Sequence, residues 1–182
     1  MSENKDKLDI HLREYEKCKV EQMARIAFRD NLVYVTLAAY GGIVAFAAKD
    51  NHLALLVLPW VSLVLGWGYL VNDEKVSAIG RYVRIHLTRE IAALISDKTK
   101  PEDLLGWEIA HRSDSRRKRR KVEQLIIDLI CFVFSGLAAI VAFWLLDTGA
   151  LPALKYVAVA EGLALFALGI EIVLYADLKS GR

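Results

Sequence analysis

Charge is missing from long stretches of this chain, and cysteine is scarce throughout it. The two cysteines are Cys18, in a charged segment, and Cys131, inside an apolar run. Their placement builds neither a disulfide framework nor a metal site. Catalytic signatures are lacking as well: there is no H-E-x-x-H, no glycine-rich phosphate loop, no C-x-x-C and no nucleophile elbow. No catalytic residue, cofactor or metal is therefore expected. The formal net charge is only +2, which excludes a polycation built for nucleic acid. The first thirty residues carry seven Lys/Arg and seven Asp/Glu, with no early apolar segment leading to a small-residue cleavage site. The first hydrophobic helix is accordingly expected to direct its own insertion.

What is present is hydrocarbon. Of the 182 residues, 55% are hydrophobic and the mean hydropathy is +0.30, too apolar for an ordinary soluble domain of this length. The charged quarter of the chain is gathered into blocks between four apolar runs. Residues 31–48 and 53–71 hold no charge, 125–146 holds only Asp128, and 151–176 holds Lys155, Glu161 and Glu171. At about 1.5 Å of rise per residue, each run can cross most of a hydrocarbon core about 30 Å thick. A buried helix of a soluble bundle averages about 11 residues and keeps a polar face, which these runs do not.

The connections set the topology. Residues 49–52 and 147–150 are so short that spans one and two, and spans three and four, must fold back as antiparallel hairpins. Of the 24 Lys/Arg, seven precede the first span, thirteen lie within 72–124 and two follow the last span; only Lys49 and Lys155 fall at the opposite face. The positive-inside rule then puts both termini and the central segment in the cytoplasm. The expected fold is an all-α membrane protein. It has a cytoplasmic amphipathic helix (1–30), a transmembrane hairpin (31–71), a cytoplasmic helical segment with a basic run (72–124), a second hairpin (125–176) and a short tail (177–182).

Those cytoplasmic parts read as helical. Leu8, Leu12, Tyr15, Met23, Ile26 and Ala27 fall roughly on one stripe among strong helix formers, so a helix should run straight into the first span. Val76, Ile79, Val83, Leu87, Ile91 and Leu94 repeat at spacings of three and four and should carry the second span well past the membrane. Pro101, followed by Glu102 and Asp103, reads as a fresh helix start, with Leu104, Leu105, Trp107 and Ile109 as its apolar side. Ser113 or Asp114 would cap the helix that brings the basic run into span three.

Three sets of residues stand out against this background. A carboxylate well inside a span is costly, so Glu161 should face the bundle, take a proton or find a partner. Glu171 lies ten positions on, about 80° around the helix and nearer its end; Asp128 is shallow and is expected to face headgroups or the basic run. Gly41 and Gly42 with Ala38 and Ala45, Ser135 with Ala139, Ala138 with Ala142, and Ala160 with Ala164 follow the small-x-x-x-small spacing that lets helices approach closely, within or between subunits. Pro59 is expected to kink span two. The run Arg116, Arg117, Lys118, Arg119, Arg120, Lys121 abuts span three, where each cation contributes about 1 kcal/mol of attraction to an anionic leaflet. Its expected partners are lipid headgroups, with a cytoplasmic protein as the alternative. With no aromatic stacking partners nearby, the run does not point to nucleic acid.

The stretches Arg29-Asp30-Asn31-Leu32, Asn72-Asp73-Glu74-Lys75-Val76-Ser77-Ala78-Ile79-Gly80-Arg81-Tyr82 and Leu105-Gly106-Trp107-Glu108 resemble a group of small, uncharacterised bacterial inner-membrane proteins with four spans. That resemblance implies the bacterial inner membrane and carries no activity. In layout the chain is also similar to small multi-span effectors of bacterial antiphage systems, which oligomerise and disrupt the membrane. Arg81 and His86 satisfy R-x-x-x-x-H, the loose signature of the HEPN ribonucleases, a spacing that twelve Arg and four His readily produce by chance. The function expected is therefore non-enzymatic: a homo-oligomeric, pore-like or membrane-perturbing component with a cytoplasmic sensing surface. A membrane scaffold that recruits a soluble partner is the alternative, and a membrane-tethered ribonuclease using Arg81 and His86 the second.

Overall fold

The computed structural model describes residues 2–95, 100–101, 104–106, 116–146, 149 and 151–176. The fold is all-helical, with no strand among the described residues. Helix α1 spans Ser2–Ala47, α2 Val57–Tyr82, α3 Thr88–Ile95, α4 Arg117–Leu129, α5 Ser135–Leu146 and α6 Pro152–Tyr175. A π-helical turn, Val83–Leu87, joins α2 to α3, and a second, Ile130–Phe134, joins α4 to α5. Four helical stretches result that are long and apolar enough to cross a membrane: Glu3–Ala47, His52–Ile95, Arg117–Leu146 and Pro152–Tyr175. The expected helix starts after Pro101 and at Ser113 or Asp114 lie largely outside the described residues.

Local chemistry explains the breaks. After α1 the chain turns at Asp50, whose φ of 65° lies in the left-handed region that Asp tolerates better than most residues. A 3-10 turn over His52–Leu56 then leads into α2. Pro59 is the third residue of α2, so its missing N–H falls where no helical acceptor was waiting; it marks a helix start rather than a kink in mid-span. Pro152 likewise opens α6.

The π-turns keep inward faces in line. Eight residues of plain α-helix rotate by about 800°, which would carry Ile91 some 80° away from Val83. One extra residue in a π-turn takes up about 100° of that, so Val83, Leu87 and Ile91 stay on one stripe. All three are buried. Thr88 Oγ1 donates to the Val83 carbonyl at 2.8 Å and satisfies the acceptor loosened by the wider turn.

The residues group into two compact units, one formed from 1–28 with 72–120 and the other from 29–71 with 121–178. In the first, Val83, Leu87 and Ile91 form a core against Leu8, Tyr15, Cys18, Ile79, Leu104 and Leu105. Gln22 Nε2 donates to the Val76 carbonyl at 3.1 Å, Arg25 reaches Asn72 Oδ1 at 3.4 Å, and the Tyr82 hydroxyl donates to Glu14 at 2.7 Å. That bond, and then partial burial, holds Tyr82 ionisation above the ordinary tyrosine range. Burial, with Glu14 and Glu21 adding to it, pushes the Cys18 thiol up, so Cys18 is a packing residue rather than an activated nucleophile.

The second unit has two apolar clusters. Leu32, Tyr69, Leu70, Phe132, Val133, Leu168 and Ile172 form one; Ala47, Leu55, Leu56, Leu58, Ala139, Phe143 and Ala158 form the other. Its outward surface is apolar too, with Leu145 74%, Leu174 68%, Val64 67% and Phe166 65% exposed. Water would make so much continuous apolar surface unfavourable at about 25 cal/mol per Å², whereas lipid does not.

Candidate intramembrane polar site

The interior of the second unit is built in layers. At one end, Gln124 donates through its amide both to Tyr69 Oη, at 2.6 Å, and to Asp128 Oδ1, at 2.8 Å, with the Arg29 guanidinium 5.8 Å above the Tyr69 ring. Asp128 is buried, so of its two expected surroundings, headgroups and the basic run, the headgroups do not apply. Its helix carries Gln124 one turn earlier, and that amide offsets the burial of the carboxylate.

Next comes an apolar layer. Gly66 lies against Phe132 and Leu168 so closely that a Cβ there would sit 3.0 Å from Phe132 Cβ and 3.0 Å from Leu168 Cδ2. The Phe132 ring packs on Tyr69 with centroids 5.0 Å apart. Phe132 has no exposed surface.

The third layer is polar again. Tyr40 of α1, Ser62 of α2 and Ser135 of α5 bring three hydroxyls together: Tyr40 bonds Ser62, and Ser135 Oγ lies 2.9 Å from Tyr40 Oη and 2.6 Å from the Cys131 carbonyl. Ser135 has one proton to give. If the carbonyl takes it, Tyr40 donates to Ser135 and Ser62 donates to Tyr40, which leaves Tyr40 and Ser135 each both giving and accepting while Ser62 gives and can still accept. The π-turn sets Ser135 here, since it begins α5 directly after that turn. Gly136 makes room, because a Cβ at this point would lie 2.8 Å from Leu165 Cδ1 and 3.0 Å from Ser62 Oγ.

Glu161 occupies the fourth layer. It stands one turn before Leu165 on α6, with Ala158 one turn before it, all on the buried face. Only 3% of its surface is exposed, and neither carboxylate oxygen has a hydrogen-bond partner. The indole of Trp60 is its polar neighbour, short of hydrogen-bond geometry. An ionised carboxylate enclosed in this way carries a penalty of several kcal/mol, so the group holds a proton or acquires a partner that one chain does not supply.

The remaining candidates scatter. Glu171 is half-buried near the far end of α6, away from this cluster. Among the small residues, Ser135 and Ala139 face inward, whereas Gly41, Gly42, Ala45 and Ala160 are exposed and Ala164 is half-buried. A Cβ at Gly41 or Gly42 would meet nothing within 4 Å. Arg116 precedes α4 and the rest of the basic run fills its first turns, with Arg116, Lys118, Arg119 and Arg120 exposed. Cations at the start of a helix oppose its dipole. Arg81 is half-buried, and His86 is exposed and stacked on Tyr82 at 5.8 Å. No group of three or more His, Cys, Asp or Glu able to hold a metal occurs among the described residues.

Sequence reasoning found Glu161 from its charge but missed Tyr40, Ser62 and Gln124. The one available signal was that Ser62 is the sole hydroxyl-bearing aliphatic residue in the run 53–71. Comparison with known proteins gives no matching family model, no matching curated protein and no matching solved structure.

Proposed function

We propose that the chain is a four-span protein of a bacterial inner membrane, folded as two antiparallel hairpins with both termini and residues 72–124 in the cytoplasm. Several observations support this arrangement. Neighbours in the two halves of the second unit run in opposite order: Leu32 with Gly68 and Tyr40 with Ser62, then Val133 with Gly169, Leu165 with Gly136 and Ile140 with Gly162. The distribution of Lys and Arg favours the stated orientation.

Its activity, in this reading, is not enzymatic. The protein is a pore-like component that lets a small ion cross the membrane, assembled as a homo-oligomer through small-residue faces, with the helices of the first unit as a sensing surface. One observation carries the reading: Glu161 is enclosed and without a hydrogen-bond partner near the middle of a helix long enough to span. Polar groups in that position are costly, and membrane proteins keep them where ions or protons move. The exposed Gly41–Gly42 surface offers a close-packing face to a second copy.

The test is ion flux in liposomes. Purified wild-type protein should raise flux above protein-free vesicles, and Glu161→Gln, which keeps shape and removes charge, should lower it by at least about a hundredfold. Equal flux from both proteins, with equal incorporation, would rule out a role for Glu161. The scaffold reading draws on the exposed cations of α4. Changing Arg116 to Lys121 to glutamine should leave flux in neutral vesicles intact; loss of a captured soluble partner without any flux in the parent protein would favour the scaffold instead.

A further inference from the structure

We infer that the ion handled at Glu161 is the proton, that the hydroxyls of Ser62, Tyr40 and Ser135 relay it, and that the Phe132–Leu168 layer is the barrier between this relay and Asp128. The inference rests on the reading of Glu161 just given and names the species it serves.

Coordination number argues for the proton. An alkali or alkaline-earth cation takes about six oxygens, and the hard divalent ions favour several carboxylates or carbonyls. Among the described residues Glu161 belongs to no group of three or more His, Cys, Asp or Glu that could hold a metal ion. A proton needs a single oxygen. The three hydroxyls are bonded to one another rather than splayed toward a shared centre, so they form a chain and not a cage.

The order of the layers argues for a route. On α2, Tyr69, Gly66 and Ser62 succeed one another at about one turn, and Trp60 follows. On the third span the same levels are Asp128, Phe132 and Ser135, and on α6 they are Ile172, Leu168 and Leu165, with Glu161 one turn further. Each of the four helices places a polar side chain in the interior of the unit, Tyr40, Ser62, Ser135 and Glu161, and α1 adds the buried Thr36, whose hydroxyl donates to the Leu32 carbonyl at 2.7 Å. Leu165 and Ser62 both border Gly136, so Glu161 stands one turn of α6, about 5 Å along the axis, from the level of Ser62, and the relay requires water between the two.

The transfer balances. Glu161 O–H gives its proton through that water to Ser62 Oγ; Ser62 passes its own to Tyr40 Oη, Tyr40 to Ser135 Oγ, and Ser135 to solvent water on the Asp128 side. Each O–H broken is replaced by one formed, Glu161 is left as the carboxylate, and a proton from the opposite side restores it while the hydroxyls rotate back. Phe132 and Leu168 close the path in the conformation described, since they pack against Gly66 between Ser135 and Asp128, and the one hydroxyl near that level, Thr36 of α1, is spent on the Leu32 carbonyl. The barrier opens when that layer admits water.

The experiment uses the full chain in phosphatidylethanolamine–phosphatidylglycerol vesicles with a trapped pH-sensitive dye, a valinomycin-clamped potassium potential, and rubidium tracer uptake in parallel. Wild-type protein should acidify or alkalinise the lumen according to the potential and carry no rubidium. Tyr40→Phe, and independently Ser135→Ala, should each slow proton flux by on the order of tenfold, the loss of one bonded step. Phe132→Ala should raise it. Infrared difference spectra should show a protonated carboxyl band in the wild type that Glu161→Gln removes. Rubidium uptake that depends on Glu161 and ignores Tyr40→Phe would overturn the inference while leaving the pore reading standing. Proton flux untouched by both hydroxyl variants would overturn the relay, and no rise in Phe132→Ala would overturn the barrier. Absence of any ion flux in the wild type would sink both this inference and the reading beneath it.

Discussion

Leucine introduced at Gly66 is expected to destabilise the protein by about 2 kcal/mol or more, while leucine at Gly41 should leave the isolated protomer as stable as before or slightly more so. The two glycines sit in apolar helices of the same unit, and their sequence surroundings do not tell them apart. Leucine gains roughly 0.8 kcal/mol of helix propensity at either place. At Gly66 the first added carbon would already stand 3.0 Å from Phe132 Cβ, which is tied to the backbone and cannot rotate away. Overpacking costs about 1 to 3 kcal/mol and occasionally more, and with a backbone-tied neighbour in the way the upper end applies and outweighs the propensity gain. At Gly41 the added carbons meet nothing within 4 Å in the protomer. For a chain of this size, thermal unfolding in detergent should fall by roughly 4 to 8 °C for Gly66→Leu. Gly41→Leu should instead act on association. If the exposed Gly41–Gly42 surface is where copies meet, the variant should elute as a smaller species on gel filtration; an unchanged elution volume would move the contact to another face. A Gly66→Leu protein as stable as its parent would mean that the close approach of the second, third and fourth spans is wrong.

These contrasts show what could be read from the residues in order and what could not. The four helices long and apolar enough to cross a membrane were legible because length and the absence of charge are local properties, and so was the long run of helix that leads into the first of them, since Leu8, Tyr15 and their neighbours repeat along one stripe. The π-turns were not legible. An extra residue in a helix leaves no compositional mark, and its purpose becomes visible only when Val83, Leu87 and Ile91, or Asp128, Phe132 and Gly136, have to face the same way. Pro59 misled for a similar reason: its effect depends on where the α-helix begins, and a 3-10 turn over His52–Leu56 delayed that beginning. Small-residue spacing was equally indifferent to direction, since Ser135 and Ala139 face the interior while Gly41, Gly42 and Ala45 face out. The meeting of Tyr40, Ser62 and Ser135 joins residues 22 and 95 positions apart in sequence, and no periodicity within one helix determines which turn of another it will touch. Asp128 needed Gln124 to be burial-competent, and its depth alone left it facing headgroups or the basic run.

The same reasoning sets apart the two substitutions most informative at Glu161. Glu161→Leu should abolish flux and at the same time stabilise the protein, by about 1 to 3 kcal/mol, or roughly 3 to 10 °C of thermal unfolding in detergent. Burying a polar group without a hydrogen bond costs about 2 to 4 kcal/mol even when it carries no charge, and neither oxygen of Glu161 has a bond to offset that. Leucine is similar in size, and Ala158, one turn earlier on the same buried face, already belongs to the adjoining apolar cluster, so the penalty disappears without opening a cavity. Glutamine gives the complementary result. Its amide is as poorly partnered as the acid, so Glu161→Gln should lose flux with little change in stability. A residue retained for packing would behave in the opposite way, with leucine or glutamine lowering stability in proportion to the contacts removed. Should Glu161→Leu melt earlier than the parent, the carboxyl must have a partner outside the single chain, and the partner to seek is a second copy: the loss should then be accompanied by dissociation of the oligomer, and leucine at 161 and at 41 should produce the same smaller species.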